Sequence, residues 1–348
     1  MKILLFTDNH FCSMSSIVRQ RGEKYTTRLE NQIETLNWIE NTAVENNCRC
    51  VVCLGDFFDK SNLSDEELTA LKDVNWTDID HYFIVGNHES SINGLEFNST
   101  KALESTHRHI ISEHYTSIVC GKTQIHLLPY VIETDRAELK TYLSYDADCS
   151  KHIILSHNDI KGIQMGPVVS RTGFEIDDIT NSCDLYINGH LHNGSQITNK
   201  IINLGNVTGL NFSEDASKYS HRVMILDTDT LEYEYIENPY AINFYKFEFS
   251  HVGEDISVLS SIKNNSVLSI KCVEDKVDEV KKFIADNQLE SKILDKRIVS
   301  IASEKSVTSD IENDVDLTID YLQKFRDFCY DKIGHTETVN FELGEICK

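Results

Sequence analysis

The chain has 348 residues, 40% of them hydrophobic, and a formal net charge of −23. That length is enough for one large domain and a smaller one. A surface this acidic repels polyanions, which excludes strong nucleic-acid binding driven by overall charge. Any such role must rest on local positive charge, bound metal or a partner.

No apolar run approaches the ~20 residues that cross a bilayer. The opening "MKILLFTDNH" has too short an apolar run for a secretory leader, so a cytoplasmic protein with no membrane association is expected. In chain order, the first predicted element is the strand "KILLF", which ends at once in Asp8, Asn9 and His10. The next stretch, "FCSMSSIVRQRGEKYTTR", sets Arg19, Arg21, Lys24 and Arg28 against a single Glu23. It reads as a local basic patch able to meet phosphates flanking a scissile one. "RLENQIETLNWIENTAVENN" places Leu29, Ile33, Leu36 and Ile39 at helical spacing.

The second strand, "CRCVVCLGDFFD", ends in Asp56 and Asp59. Its cysteines sit on a strand, where neighbours face opposite ways, and no zinc spacing follows. Buried reduced thiols are expected. "LSDEELTALKDV" opens a helix with Ser64 as N-cap and Glu67 completing a capping box. Three further strands end alike: "HYFIVGNHE" in Asn87 and His88, "KHIILSHND" in His157, and "DLYINGHLH" in His190 and His192. On extended backbone, residues two apart point to the same side. The strand–helix–strand order implies parallel strands with their C-terminal ends along one edge, where open α/β sheets bind ligands. Taken singly, each cluster has a plain reading as a turn, a strand-end polar residue or a satisfied histidine. Their recurrence at the same place in successive strands points to a metal site.

Beyond residue 240 the pattern changes. "NFYKFEFS", "SVLSIKCV" and "KRIVSIAS" read as strands and "EDKVDEVKKFIADNQ" as a helix, a small α/β unit over 241–305. "SEKSVTSDIENDVD" reads as a polar acidic linker. "DLTIDYLQKFRDFCYDKI" sets Leu317, Tyr321, Phe325, Phe328 and Ile333 near one helical face.

The ordered motifs D-x-H, G-D-x-x-D, G-N-H-E, a lone His and G-H-x-H resemble those of the calcineurin-like metallophosphoesterases. They stand here as Asp8-Asn9-His10, "GDFFD", "GNHE", "SHND" and "GHLH". Every station is filled, and the likeness spans roughly residues 1–240. The one departure is Glu89, where Asp is commoner; that position is not a metal ligand in the family. The resemblance implies a four-layer αββα sandwich over 1–240, a small α/β capping domain over 241–305, and a linker with a C-terminal helical segment over 306–348. It also implies two divalent metal ions. One is held by Asp8, His10, Asp56 and His192, the other by Asp56, Asn87, His157 and His190, with Asp56 bridging. Imidazole and carboxylate donors suit manganese first, with magnesium, iron or zinc as alternatives. Such a pair lowers the pKa of water and clamps an in-line displacement at phosphorus. By the same resemblance His88 contacts the phosphate or leaving group, and Asp59 orients His88 or a group nearby.

Within that family, the basic segment, the appended α/β unit and the C-terminal amphipathic stretch favour the SbcD-type DNA nucleases, including the phage recombination-nuclease subunits. That implies a DNA exonuclease or endonuclease acting in repair and recombination. Its expected partners are DNA, an SbcC-type coiled-coil ATPase bound through the C-terminal segment, and a second copy of the chain. Dimerisation would use the 29–45 helix or the 93–115 region. The competing readings are a phosphatase or phosphodiesterase of the same fold acting on nucleotides or proteins, and a non-catalytic scaffold. A scaffold would be expected to have lost metal ligands, and none of the seven is missing here.

Overall fold

The computed structural model describes residues 1–13, 21–91, 94–113, 115–165, 168–251 and 253–301. Arg19 and the C-terminal segment 306–348, with its proposed helix, lie outside the described residues.

The first strand, β1 (Lys2–Phe6), shows why an unbroken apolar run was needed. Ile3 and Leu5 enter one buried cluster while Leu4 and Phe6 enter another on the opposite face. The two-residue side-chain period thus serves two cores at once. The helix α1 (Thr27–Glu45) follows, capped by the Thr26 hydroxyl, which accepts from Leu29 N. In β2 (Cys50–Cys53), Cys50 and Val52 face the inner cluster and Val51 and Cys53 the outer one. Burial raises the thiol pKa of Cys48 to about 11 and of Cys50 to about 12, and pushes Cys53 up well above its usual value. These are inert core cysteines, as their strand position implied.

The helix α2 (Asp65–Ala70) carries the expected capping box of Ser64 and Glu67. Glu67 Oε2 accepts from Ser64 N at 2.7 Å, while its Oε1 accepts from Ser13 N at 2.8 Å. One buried carboxylate therefore closes a helix end and ties down the chain just after His10. The strands β3 (Asp80–Ile84), β4 (Arg108–Ile111), β5 (Thr116–Cys120), β6 (Thr123–Leu128) and β7 (Lys151–Ser156) come next. They are followed by α3 (Ile176–Ser182), β8 (Leu185–Asn188), β9 (Ser195–Gln196), β10 (Ile201–Asn203), β11 (Arg222–Asp227) and β12 (Tyr233–Glu237).

These strands form two six-stranded sheets, ordered β12-β11-β1-β2-β3-β4 and β9-β10-β8-β7-β6-β5. The β1–β4 set is parallel, and so is the β6–β7–β8–β10 set. The inner faces of the sheets meet in one cluster that joins Ile3, Leu5 and Val52 to Ile125, Ile153 and Ile187. On one outer face, Leu29, Leu36 and Ile39 of α1 pack over Leu4, Val51 and Phe83. On the other, Ile179 of α3 packs on Ile154, Tyr186 and Ile201. The result is helix, sheet, sheet, helix: the expected four layers. A single sheet edge would carry all five polar strand ends; here β1, β2 and β3 belong to one sheet and β7 and β8 to the other. Face-to-face packing brings the ends together.

Past β12 the chain forms a separate parallel sheet of β13 (Asn243–Phe249), β14 (Ser266–Val273) and β15 (Ile293–Ile301), with α4 (Val277–Asp286) between the last two strands. It has its own core of Tyr245, Phe249, Leu268, Ile270, Val280 and Ile284. Among the described residues no helix is long and apolar enough to cross a membrane.

The basic segment differs from its sequence reading. Arg28 is fully buried and donates from Nη1 to the Gly209 carbonyl at 2.8 Å, so it cannot meet DNA. Helical spacing explains this, because Arg28 lies beside Leu29 on the face of α1 turned to the core. Arg21 and Lys24 are exposed but paired, with Glu66 at 2.9 Å and Asp73 at 2.6 Å. Arg28→Ala is expected to lower stability in urea unfolding by about 2–4 kcal/mol, through a cavity and a lost buried hydrogen bond. Arg21→Ala should leave the midpoint unchanged.

Candidate metal centre

Three of the five polar strand ends leave their sheets through left-handed backbone. Asp8, His10, Asp56 and His190 have φ of 51°, 46°, 49° and 72°. Such torsions cost roughly 1–3 kcal/mol each at a non-glycine residue and persist only where the surroundings enforce them. The enforcement is visible. Asp8 N donates to the Gly55 carbonyl at 3.1 Å and His10 N to the Asp56 carbonyl at 3.0 Å. Gln32, reaching from α1, donates to the carbonyls of Asn9 and His10, both at 2.7 Å. Crowding explains the neighbouring glycines. A Cβ on Gly86 would strike the Asp56 carboxylate and backbone nitrogen. One on Gly189 would strike Thr7, the Leu54 carbonyl and the His157 ring.

All seven residues read as ligands converge. Asp8, His10 and His192 form one group, and Asp56, His157 and His190 another. In the first, His10 Nε2 lies 3.0 Å from His192 Nε2, and each is 3.9 Å from Asp8 Oδ1. In the second, His157 Nε2 is 3.1 Å from Asp56 Oδ2 and 3.2 Å from Asn87 Oδ1, which is 3.0 Å from His190 Nδ1. Asp56 also groups with His10 and His88, which puts it between the two halves. His88 stands at the rim, 41% exposed. Its backbone N–H donates to Asp56 Oδ1 and its Nδ1 lies 3.0 Å from the Asp59 main-chain carbonyl. The Asp59 carboxylate is nearer to His10, 3.2 Å from Nδ1, than to the His88 ring at 3.8 Å. Asp59 therefore braces both histidines, one through its side chain and one through its backbone.

Three of the inward imidazoles have a hydrogen-bond partner on the outer nitrogen, and the outer nitrogen of His10 lies 3.2 Å from the Asp59 carboxylate. His157 Nδ1 donates to the Leu54 carbonyl at 2.6 Å, and His192 Nδ1 faces Glu214 Oε1 at 2.9 Å. His190 Nε2 faces Asp159 Oδ1 at 3.0 Å. Partners that only accept hold the proton on the outer nitrogen and turn a lone pair inward, as metal ligation requires. Nε2 of His10 and of His192 then face each other, beside a buried Asp8 Oδ1 that has no hydrogen-bond partner. Buried acceptors gathered without a donor fit a cation. Burial lowers the pKa of His10, consistent with a neutral ligand. Burial alone would also lower that of His157, but the Asp56 carboxylate overrides it and holds the value up at about 9. The donors are nitrogen and oxygen without thiolate, the set that manganese, iron and zinc accept.

Sequence reasoning missed the outer partners. Glu214 and Arg136 carry no motif. Asp159 stands two residues after His157, so alternation on extended backbone was the available signal. Glu89 is no ligand, but it is fully buried and accepts from Gly86 N at 2.7 Å and Phe58 N at 3.0 Å. It pins the G-N-H-E turn to the G-D-x-x-D turn. Burial and the nearby Asp56 charge raise its carboxyl pKa to about 8.

Residues 1–194 match the family model described as calcineurin-like phosphoesterase. No curated protein matches the chain. Among solved structures, it is similar to an archaeal phosphodiesterase at 15% identity and TM-score 0.35, over 68% of this chain and 99% of that one. It is similar to a dimetal phosphatase from Danio rerio at 15% identity and TM-score 0.39, over 68% and 99% of the two chains. A Thermus thermophilus protein is matched at 8% identity and TM-score 0.38, over 68% and 98%. Likenesses this loose carry no argument about substrate. The family match spans more than half of the chain and includes every donor of the centre, so this protein belongs to the calcineurin-like phosphoesterases, enzymes that hydrolyse phosphoesters with divalent metal ions.

Proposed function

We propose that the protein is a two-metal DNA nuclease of the SbcD type, working with manganese and with a coiled-coil ATPase bound through residues 306–348. The observation that carries this reading is the parallel α/β unit formed by residues 243–301. It follows the phosphoesterase sheets where SbcD-like nucleases carry a DNA-capping domain.

Two divalent ions held by the seven donors would supply Lewis acidity, a water of lowered pKa and a clamp for in-line displacement. The chain's own residues do the rest. Because the Asp59 carbonyl can only accept, His88 Nδ1 carries a proton, and a protonated His88 has only its Nε2–H to give. That assigns His88 to stabilising the transition state or protonating the leaving oxygen. Asp59 positions it.

Local charge refines the argument for a partner. Against two divalent ions, Asp8 and Asp56 alone leave a positive excess. Asp59, Glu214 and Asp159 stand close behind, and among the described residues only Asp159 is ion-paired with an arginine or lysine, Arg136. The excess is then essentially cancelled. A phosphodiester is held by direct coordination and not by a long-range field, which leaves DNA affinity to be supplied by the ATPase.

With manganese at neutral pH, linear duplex DNA should be degraded from its 3′ ends, and chelation should abolish the activity; hydrolysis confined to phosphomonoesters would point to a phosphatase instead. His88→Ala should keep its metal content by elemental analysis yet lose about 10²–10⁴-fold in turnover. Wild-type turnover in that variant removes His88 from the chemistry. Deleting residues 306–348 should abolish co-purification with the ATPase while sparing cleavage of small phosphodiesters.

A further inference from the structure

The two histidines of the G-H-L-H turn are braced differently. Behind His192 stands Glu214, which forms no ion pair with Lys or Arg among the described residues. Behind His190 stands Asp159, and its other oxygen, Oδ2, lies 3.2 Å from Arg136 Nη2. That nitrogen also donates to the Val131 carbonyl at 3.0 Å. The Arg136 side chain is 6% exposed and lies over the Phe174 ring. An arginine 21 positions before His157 is thus buried two contacts behind a candidate metal donor.

The geometry makes a tautomer argument. His190 Nδ1 faces Asn87 Oδ1, and Nε2 faces Asp159 Oδ1, both at 3.0 Å. A carboxylate accepts and cannot donate, so Nε2 keeps the proton and Nδ1 is left for an ion. Arg136 occupies one carboxylate oxygen, cancels the charge and leaves the other oxygen committed to His190. We propose that Arg136 and Asp159 act as a positioning pair for His190. The pair sets the affinity of the ion held by Asn87, His157 and His190, and leaves the ion of Asp8, His10 and His192 to Glu214. This rests on the two-ion reading of the centre and not on DNA as the substrate.

An amide at 159 sharpens the test. In Asp159→Asn the single acceptor oxygen goes to the buried Arg136 cation, so the NH2 group faces His190. Nε2 must then become the acceptor and Nδ1 the N–H, which blocks ligation. The double variant Arg136→Met/Asp159→Asn frees the amide oxygen to turn back to His190. The experiment is calorimetric titration of chelator-stripped full-length protein with Mn²⁺, with unfolding of the metal-free variants followed in parallel. Wild type should take up two ions. Asp159→Asn should hold one normally and bind the other about 10–100-fold more weakly. The double variant should recover most of that loss. Two wild-type affinities in Asp159→Asn, equal weakening of both ions, or a folded double variant without recovery would each overturn the assignment. The ¹⁵N shifts of the His190 ring in the wild type test the same point without relying on a variant's folding: Nε2–H supports it and Nδ1–H overturns it. A wild type that binds fewer than two Mn²⁺ ions would instead refute the two-ion reading itself, and this inference with it.

Discussion

At the heart of the molecule two imidazole nitrogens, on His10 and His192, stand 3.0 Å apart with their outer nitrogens turned toward carboxylates. Among the described residues no third group donates to either nitrogen. An arrangement of buried acceptors facing one another is unfavourable unless a cation shares them, and much of the surrounding structure holds them in place. The two sheets pack inner face to inner face, so strand ends from separate sheets arrive at one point. Gln32 from α1 and Glu67 from α2 secure the segment that carries Asp8 and His10. The phosphoesterase architecture serves to impose proximity on groups that repel.

How far this was legible in the sequence depended on the range of the interaction. The strand ends could be read because the donors follow apolar runs within a few residues, and period-two alternation assigns their sides. The Ser64–Glu67 box could be read because a cap is a local contract between residues three apart. Cys50 and Cys53 could be placed on opposite faces for the same reason. What could not be read was contact between segments distant along the chain. Arg28 looked like part of a cationic loop, yet helical phase turned it to the core, where the Gly209 carbonyl, 181 residues away, receives it. Glu214 sits on His192 with no neighbouring signal to mark it.

The acidic composition takes on a different meaning beside the centre. Carboxylates are more than a solvated coat here, because Asp59, Glu214 and Asp159 each stand on the outer nitrogen of an inward-facing histidine. A carboxylate in that position raises the basicity of the imidazole and so strengthens the ligand. It also drains positive field from the mouth of the site. Tight metal retention and long-range attraction for phosphate are therefore opposed.

The left-handed turns at Asp8, His10, Asp56 and His190 bear on how the protein can change. Glycine at any of these positions would relax a torsion that a side chain strains, while deleting a donor. A lineage selected only for thermal robustness would thus find its easiest gains at the very residues that make it reactive. Four backbone angles record the compromise, and an inactive descendant could be recognised by their release.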